Sequence, residues 1–264
     1  MHDSQAAYRR LFDDLHTKDR GDLYRRVLDP WVESHPDERD WLARFASAGD
    51  DTVPRAEIED LWRLYALGRV IETLLLAFQP DAPGDYSWPG PKLTRNEFRS
   101  FAESLGLLAI EIDSYSPFYH EIVVVDPAQD EREPVELCEH HWPTLMLGNM
   151  VMARGGVRIS GGATRIRKDV AESSTLHWAY RRKNRPTHDL GSGWVSNSQW
   201  RTAFRRDYIL GDEFHFNVDG TRRLDPALAE TGDRIELLVH RCFVVSDRPR
   251  EDGSPYDDTH IAKL

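Results

Sequence analysis

Between Ser173 and Tyr208 the chain reads SSTLHWAYRRKNRPTHDLGSGWVSNSQWRTAFRRDY, a dense run of side chains able to bind anions or move protons. It holds three of the eight tryptophans, Trp178, Trp194 and Trp200, and the histidines His177 and His188. His188 is followed by Asp189, which makes it the candidate general acid or base. Ser196 with Gln199 three residues on forms a capping box, and Trp200, Phe204 and Tyr208 at i, i+4 and i+8 predict a helix over 199–210 with one buried face. Arg201 and Arg205 then lie one turn apart, a like-charge pair that destabilises an isolated helix by roughly a few tenths of a kcal/mol, with Arg201 at the positive end of the dipole. An anion relieves both. Arg201, Arg205, Ser196, Asn197, Ser198, Trp194 and Arg185 are therefore the expected ligand-binding set, suited to phosphate or carboxylate. The competing expectation is that acidic side chains of the N-terminal half pair with these arginines.

Charge is unevenly spread around this stretch. Residues 154–206 contain twelve of the 34 Lys and Arg against Asp169, Glu172 and Asp189, a net +9, which leaves the remainder with 22 bases, 42 acids and −20. Such asymmetry predicts an electropositive surface on an acidic body. An acidic body opposes a long polyanion, so nucleic acid is not the expected partner.

Other chemistries lack their residues. Gly155-Gly156 and Gly161-Gly162 sit near bases, but neither GxxxxGK[ST] nor GxGxxG is present, nor are GxSxG, HExxH or CxxC. Glu139-His140-His141 resembles a metal cluster, yet strand neighbours point to opposite faces, so at most two of the three can meet one ion. No metal and no cofactor are expected. Cys138 and Cys242, the only cysteines, do not make a disulfide framework.

The elements that must position the site follow from periodicity. Tyr8, Leu11, Phe12 and Leu15 form one helical stripe, Leu23, Val27 and Trp31 a second, and Trp41, Leu42 and Phe45 a third after Ser34-His35-Pro36. Pro54 opens the longest helix, apolar from Leu64 to Phe78, and Thr94-Arg95-Asn96-Glu97 caps another. Four prolines and two glycines between Gln79 and Leu93 mark a loop. Beyond Gly106 strands are expected: 121–125 with 135–139 as a hairpin, 145–153 with 157–160 as another, then 213–217 and 235–245. Helices are expected around 169–183 and 199–210, and 247–264 reads as a polar tail.

The expected fold class is α+β, a helical N-terminal half (1–106) followed by a largely antiparallel sheet with two accompanying helices (107–246) and the tail (247–264). A mean hydropathy of −0.60 and a start, MHDSQAAYRRLFDDL, without an apolar run place the protein by expectation in the cytoplasm, away from membranes. Without nucleophile, metal or cofactor motifs, the favoured function is a non-enzymatic binding protein of the neutralising or immunity type with a protein partner. The alternative is an enzyme acting on a phosphate-bearing or other anionic small molecule at residues 181–208, with His188 transferring the proton.

Overall fold

A computed structural model describes residues 5–17, 21–46, 52–80, 88–188, 200–246 and 255–264. Helix α1 (Ala6–Thr17) turns Tyr8, Leu11 and Leu15 inward, as their spacing demands. A π-helical turn, Tyr24–Leu28, leads into α2 (Asp29–Ser34), and α3 (Asp37–Ala43) follows Pro36. The long α4 (Ile58–Leu75) starts beyond Pro54 and buries Leu64, Leu67, Ile71 and Leu74. At the start of α5 (Arg95–Ser104), Thr94 Oγ1 accepts the Glu97 amide while the Glu97 carboxylate accepts the Thr94 amide, so two otherwise unpaired donors are satisfied.

Strands follow: β1 (Leu108–Ile110), β2 (His120–Pro127), β3 (Glu136–Trp142), β4 (Thr144–Leu147), β5 (Met150–Ala153) and β6 (Gly155–Gly161). After α6 (Lys168–Ala171) come β7 (Leu176–His177), β8 (Thr187–His188), β9 (Asp207–Leu210), β10 (Glu213–Phe216), β11 (Arg222–Arg223), α7 (Gly232–His240) and β12 (Asp258–Lys263). They form a seven-stranded sheet of order β1-β4-β5-β9-β10-β12-β11, a three-stranded sheet β2-β6-β3 and the pair β7-β8. Most ladders are antiparallel, with β2-β6, β7-β8 and β11-β12 parallel. The class is α+β. The largest apolar core joins α1, α4 and α5 to Val123, Trp142, Leu145, Met150 and Tyr208 of the strands. Among the described residues no helix is long and apolar enough to cross a membrane.

Several expected pairings are replaced. β2 and β3 do not form a hairpin with each other; both flank β6, β2 in parallel and β3 antiparallel. The loop between them is pinned instead to the end of β6, where the Gly162 amide donates to Glu133 O and the Thr164 amide to Glu131 O. Within 145–153 the chain turns at Gly148, whose φ of +55° suits glycine, so β4 pairs with β5 and the next strand leaves for the other sheet.

Residues 232–240 are helical rather than extended. The Glu236 carboxylate reaches past the helix end to accept the amides of Val244, Val245 and Ser246. The C-terminal residues are not a surface tail: β12 lies inside the seven-stranded sheet, with Asp258 fully buried. The expected helix over 169–183 shrinks to four residues, and 200–210 is not helical at all. Trp200, Phe204 and Tyr208 at intervals of four share a face in an extended chain as well as in a helix, and long-range bonds from Tyr208 Oη to Phe45 O and from the Phe204 amide to Leu61 O select the extended form.

The crossing of the two sheets depends on Gly156, where an added Cβ would meet the Trp142 indole carbons at 2.4 Å. Trp142 is fixed there because its Nε1 donates to Arg154 O at 2.8 Å in a fully buried position. Gly156→Ala should therefore destabilise the protein by at least the roughly 1–3 kcal/mol of an overpacked core, read as a lower denaturant midpoint at unchanged slope.

Candidate anion-binding site

The centre of the site is Asp207, the first residue of β9 and completely buried. Its Oδ1 accepts Arg205 Nε at 2.8 Å and the Asn217 amide at 2.8 Å. Its Oδ2 accepts Arg154 Nη2 at 3.4 Å and Arg241 Nη2 at 3.2 Å. Three guanidinium groups thus converge on one carboxylate. Arg154 arrives from the link between β5 and β6, Arg205 from the extended approach to β9, and Arg241 from the left-handed residue that ends α7. Burial alone would raise the Asp207 carboxyl, but Arg205, Arg241 and Arg154 overcome it and hold it far below the ordinary carboxylate range. Burial pushes Arg205 down to about 10, with Asp207 opposing and Arg241 adding to that shift. Arg154 is lowered well below its ordinary value by burial and by Arg241.

Asp207 alone does not balance the three positive charges. Arg205 donates its Nη2 to Leu238 O at 2.7 Å, yet Arg205 Nη1, Arg241 Nε and both Nε and Nη1 of Arg154 are buried without a hydrogen-bond partner among the described residues. Arg205 and Arg241 line a small cavity of about 30 Å³ together with Tyr65, Trp178, Thr202, Ala203 and Phe204. Thr202, 6% exposed, contributes a third unpartnered group there, its Oγ1. Since a water molecule needs about 10–15 Å³ of such space, the cavity has room for a small polyatomic group. Buried donors of this strength are normally satisfied, so Arg205, Arg241 and Thr202 on the wall of one void mark a candidate place for an acceptor.

Trp178 forms one wall. Its backbone is left-handed, φ +59°, held by its amide donating to His188 O and by the His177 amide donating to Arg241 O. The Arg205 guanidinium lies 4.2 Å from the Trp178 ring centroid. Beyond the indole, Tyr256 packs edge-on at 5.2 Å, and the His177 and His188 rings stand 5.3 Å apart, both within reach of Tyr256.

The residues expected from sequence separate. Arg205 enters the site, whereas His188 is exposed and does not line the cavity, its ring 5.3 Å from that of His177. Arg201 does not join Arg205: without a helix, four residues span roughly 13 Å of extended chain, and Arg201 is exposed beside the Trp62 ring. Arg185 is a buried clasp, donating to Ile122 O at 3.2 Å and Ser174 O at 2.8 Å. Trp194, Ser196, Asn197 and Ser198 lie outside the described residues. The helix start that was to gather the anion is absent at Trp200 and Arg201, and its place is taken by side chains from three distant segments.

The expected basic surface is reduced: Arg154, Arg182, Arg185, Arg205 and Arg206 are buried, while Arg165, Lys168 and Arg201 remain exposed. Arg182 is held by Glu72 of α4 and Glu121 of β2, and Arg206 by both carboxylate oxygens of Asp219. Missed by the sequence were Asp207, Arg154, Arg241, Thr202 and Tyr65. Only Asp207 left a signal, as the lone acid directly after Arg205-Arg206.

Two neutral histidines border the cluster. Burial, reinforced by Arg154, pushes His240 down to about 4, and its Nδ1 is 3.1 Å from Tyr115 Oη. Burial, with His140 and Arg154, likewise takes His120 to about 4. Because these folded values lie below the unfolded value of about 6.5, stability is intact above that pH and is lost as pH falls from about 6.5 towards 4. His240 alone contributes up to about 3 kcal/mol of the loss. His240→Gln, which cannot protonate, should flatten the fall in Tm over that window; an unchanged slope would contradict the assignment. Asp207→Asn leaves the buried Arg154 and Arg205 and the half-buried Arg241 without their carboxylate and should cost about 3–5 kcal/mol in chemical denaturation.

No protein-family model matches the chain, and no curated protein and no solved structure matches it, so the chemistry of the site rests on its own geometry.

Proposed function

We propose that this protein binds a small anionic molecule, with the anionic group seated against Arg205, Arg241 and Thr202 beneath Trp178. One observation carries the reading: two buried guanidinium groups and a third that is half-buried share a single carboxylate, and Arg205, Arg241 and Thr202, each with an unpartnered polar atom among the described residues, line one cavity. Burying an uncompensated charge costs several kcal/mol, and an anion supplied from outside offsets that cost while saturating the donors. The aromatic walls of Tyr65, Phe204 and Trp178 keep the local dielectric low, which strengthens each charge-assisted bond.

A second reading, an enzyme acting on the same anion, has a specific observation behind it. His177 packs 6.0 Å from the Trp178 ring, and His188 lies 5.3 Å from His177, so two imidazoles stand near one wall of the cavity. The neutralising or immunity-type reading draws on the acidic remainder of the chain. The large apolar side chains exposed among the described residues, Ile58, Leu108, Leu228 and Leu264, come from four separate parts of the sequence.

Thermal unfolding in acetate, sulfate and phosphate at constant ionic strength tests the proposal. An anion at a hundred times its Kd stabilises by about 2.7 kcal/mol, a readily measured rise in Tm. Thr202→Val supplies the local control. Without anion it should be more stable than the parent by about 1 kcal/mol, because an unpaired buried hydroxyl is removed, and its anion-induced rise should be smaller. If no anion raises the Tm of the parent, the reading fails.

A further inference from the structure

A sheet edge offers a row of free backbone donors and acceptors to any strand that meets it, and folded chains defend their edges with charge, bulges or covering side chains. The seven- and three-stranded sheets end in four strands, β1, β11, β2 and β3, and three of these are defended. Beside β2, Glu172 accepts the Val125 amide and Lys168 donates to Val125 O, so side chains from α6 and its end occupy that edge. β3 carries Glu136 and Glu139, is bulged at Cys138 and again before Trp142, and gives His140 O to Arg95. β11 is two exposed arginines, Arg222 and Arg223. β1 has none of these devices. It reads Leu-Ala-Ile, pairs with β4 in unbroken register, and no side chain caps its backbone among the described residues. Leu108, its first residue, is 58% exposed.

We infer that β1 is an interface between two copies of this chain, paired antiparallel about Ala109 so that the two seven-stranded sheets run on as one. The occupant is a second copy because the edge complements itself. In this register Leu108 lies opposite the partner's Ile110, and the exposed leucine exchanges water for an apolar neighbour. Charge follows the same symmetry. Arg39 of α3 flanks the N-terminal end of β1, where an added Cβ at Gly106 would lie 3.6 Å from Arg39 Cγ and 3.8 Å from Arg39 Nε. Glu111 and Asp113 follow the C-terminal end, and all three charged side chains are exposed and without an ion pair among the described residues. Two-fold pairing sets Gly106 opposite the partner's Ile112, which brings Arg39 beside the partner's Glu111 and the partner's Asp113, once at each end. A parallel partner would set like ends together instead. Three residues make a small contact, so the dimer is weak and concentration-dependent.

Sedimentation equilibrium of the intact protein from about 1 μM to about 1 mM, the Kd span of small contacts, tests the pairing. The parent should pass from monomer to dimer across that range and go no further, since a two-fold contact closes on itself. Leu108→Lys, a change at an exposed position, should raise Kd at least about tenfold, because a lysine on an edge strand opposes pairing. Arg39→Glu alone, and Glu111→Arg with Asp113→Arg, should each raise Kd at least about fivefold. The chain carrying all three charge reversals should return to within about twofold of the parent, a recovery that neither a loss of stability nor a different surface would produce. A parent that stays monomeric throughout overturns the inference and leaves β1 to a strand of another protein. A dimer whose Kd is unmoved by Leu108→Lys, or is not recovered when the charges are reversed together, overturns it as well.

Discussion

A single buried carboxylate ties together parts of the chain that are remote in sequence. Asp207 receives Arg154 from the junction of the two sheets, Arg205 from its own strand's approach, the Asn217 amide from the end of β10, and Arg241 from the C-terminus of α7. Each of these donors fixes the entry angle of its segment. The β7-β8 pair then depends on Arg241, whose carbonyl accepts the His177 amide, and Trp178 depends on that pair for its left-handed backbone. The wall of the cavity is in this sense a consequence of one ion cluster. The cluster is costly to bury, and its cost is only partly offset by Asp207.

The helical half is coupled to the same region by charge and by rings. Arg182 bridges Glu72 on α4 and Glu121 on β2, and the two carboxylates together overcome burial and keep the guanidinium firmly charged. Arg69 of α4 lies among Phe12, Tyr180 and Trp200, 3.9 Å from the Tyr180 ring centroid and 4.7 Å from that of Trp200. These contacts hold the basic segment between the helices and the sheets. They also separate two kinds of arginine: those bonded to carboxylates of their own, which act as rivets, and the three that share Asp207. The first kind argues for stability of the scaffold, and the second for a ligand.

Why Arg205 and Arg206 lie inside rather than on the surface follows from geometry. Arginine in an extended segment alternates sides, so Arg205 and Asp207 point the same way while Arg206 points to Asp219 and Pro54 O. A helix over the same residues would have placed Arg201 and Arg205 together on a solvent face. Long-range hydrogen bonds to Phe45 and Leu61 decide between the two, and with them decide whether the basic segment is a patch or a core.

The local, strongly periodic elements were legible in the residues alone: the α1 stripe, the long α4 and the Thr94–Glu97 cap of α5, because each is written in contacts three or four residues apart, and with the strand-like runs after Gly106 they indicated the α+β class. The sequence also pointed to Arg205 and to the basic character of residues 154–206. What it could not contain was the pairing of β2 and β3 around β6, the return of β12 into the sheet, the helical state of 232–240, or the meeting of Arg154, Arg205, Arg241 and Thr202. A spacing of four serves helix and strand alike, and an apolar run such as Ile235 to Val245 has no period to read. Only tertiary contacts between residues tens to hundreds of positions apart resolve those ambiguities, and it is such contacts that bring Arg154 and Arg241 to Asp207.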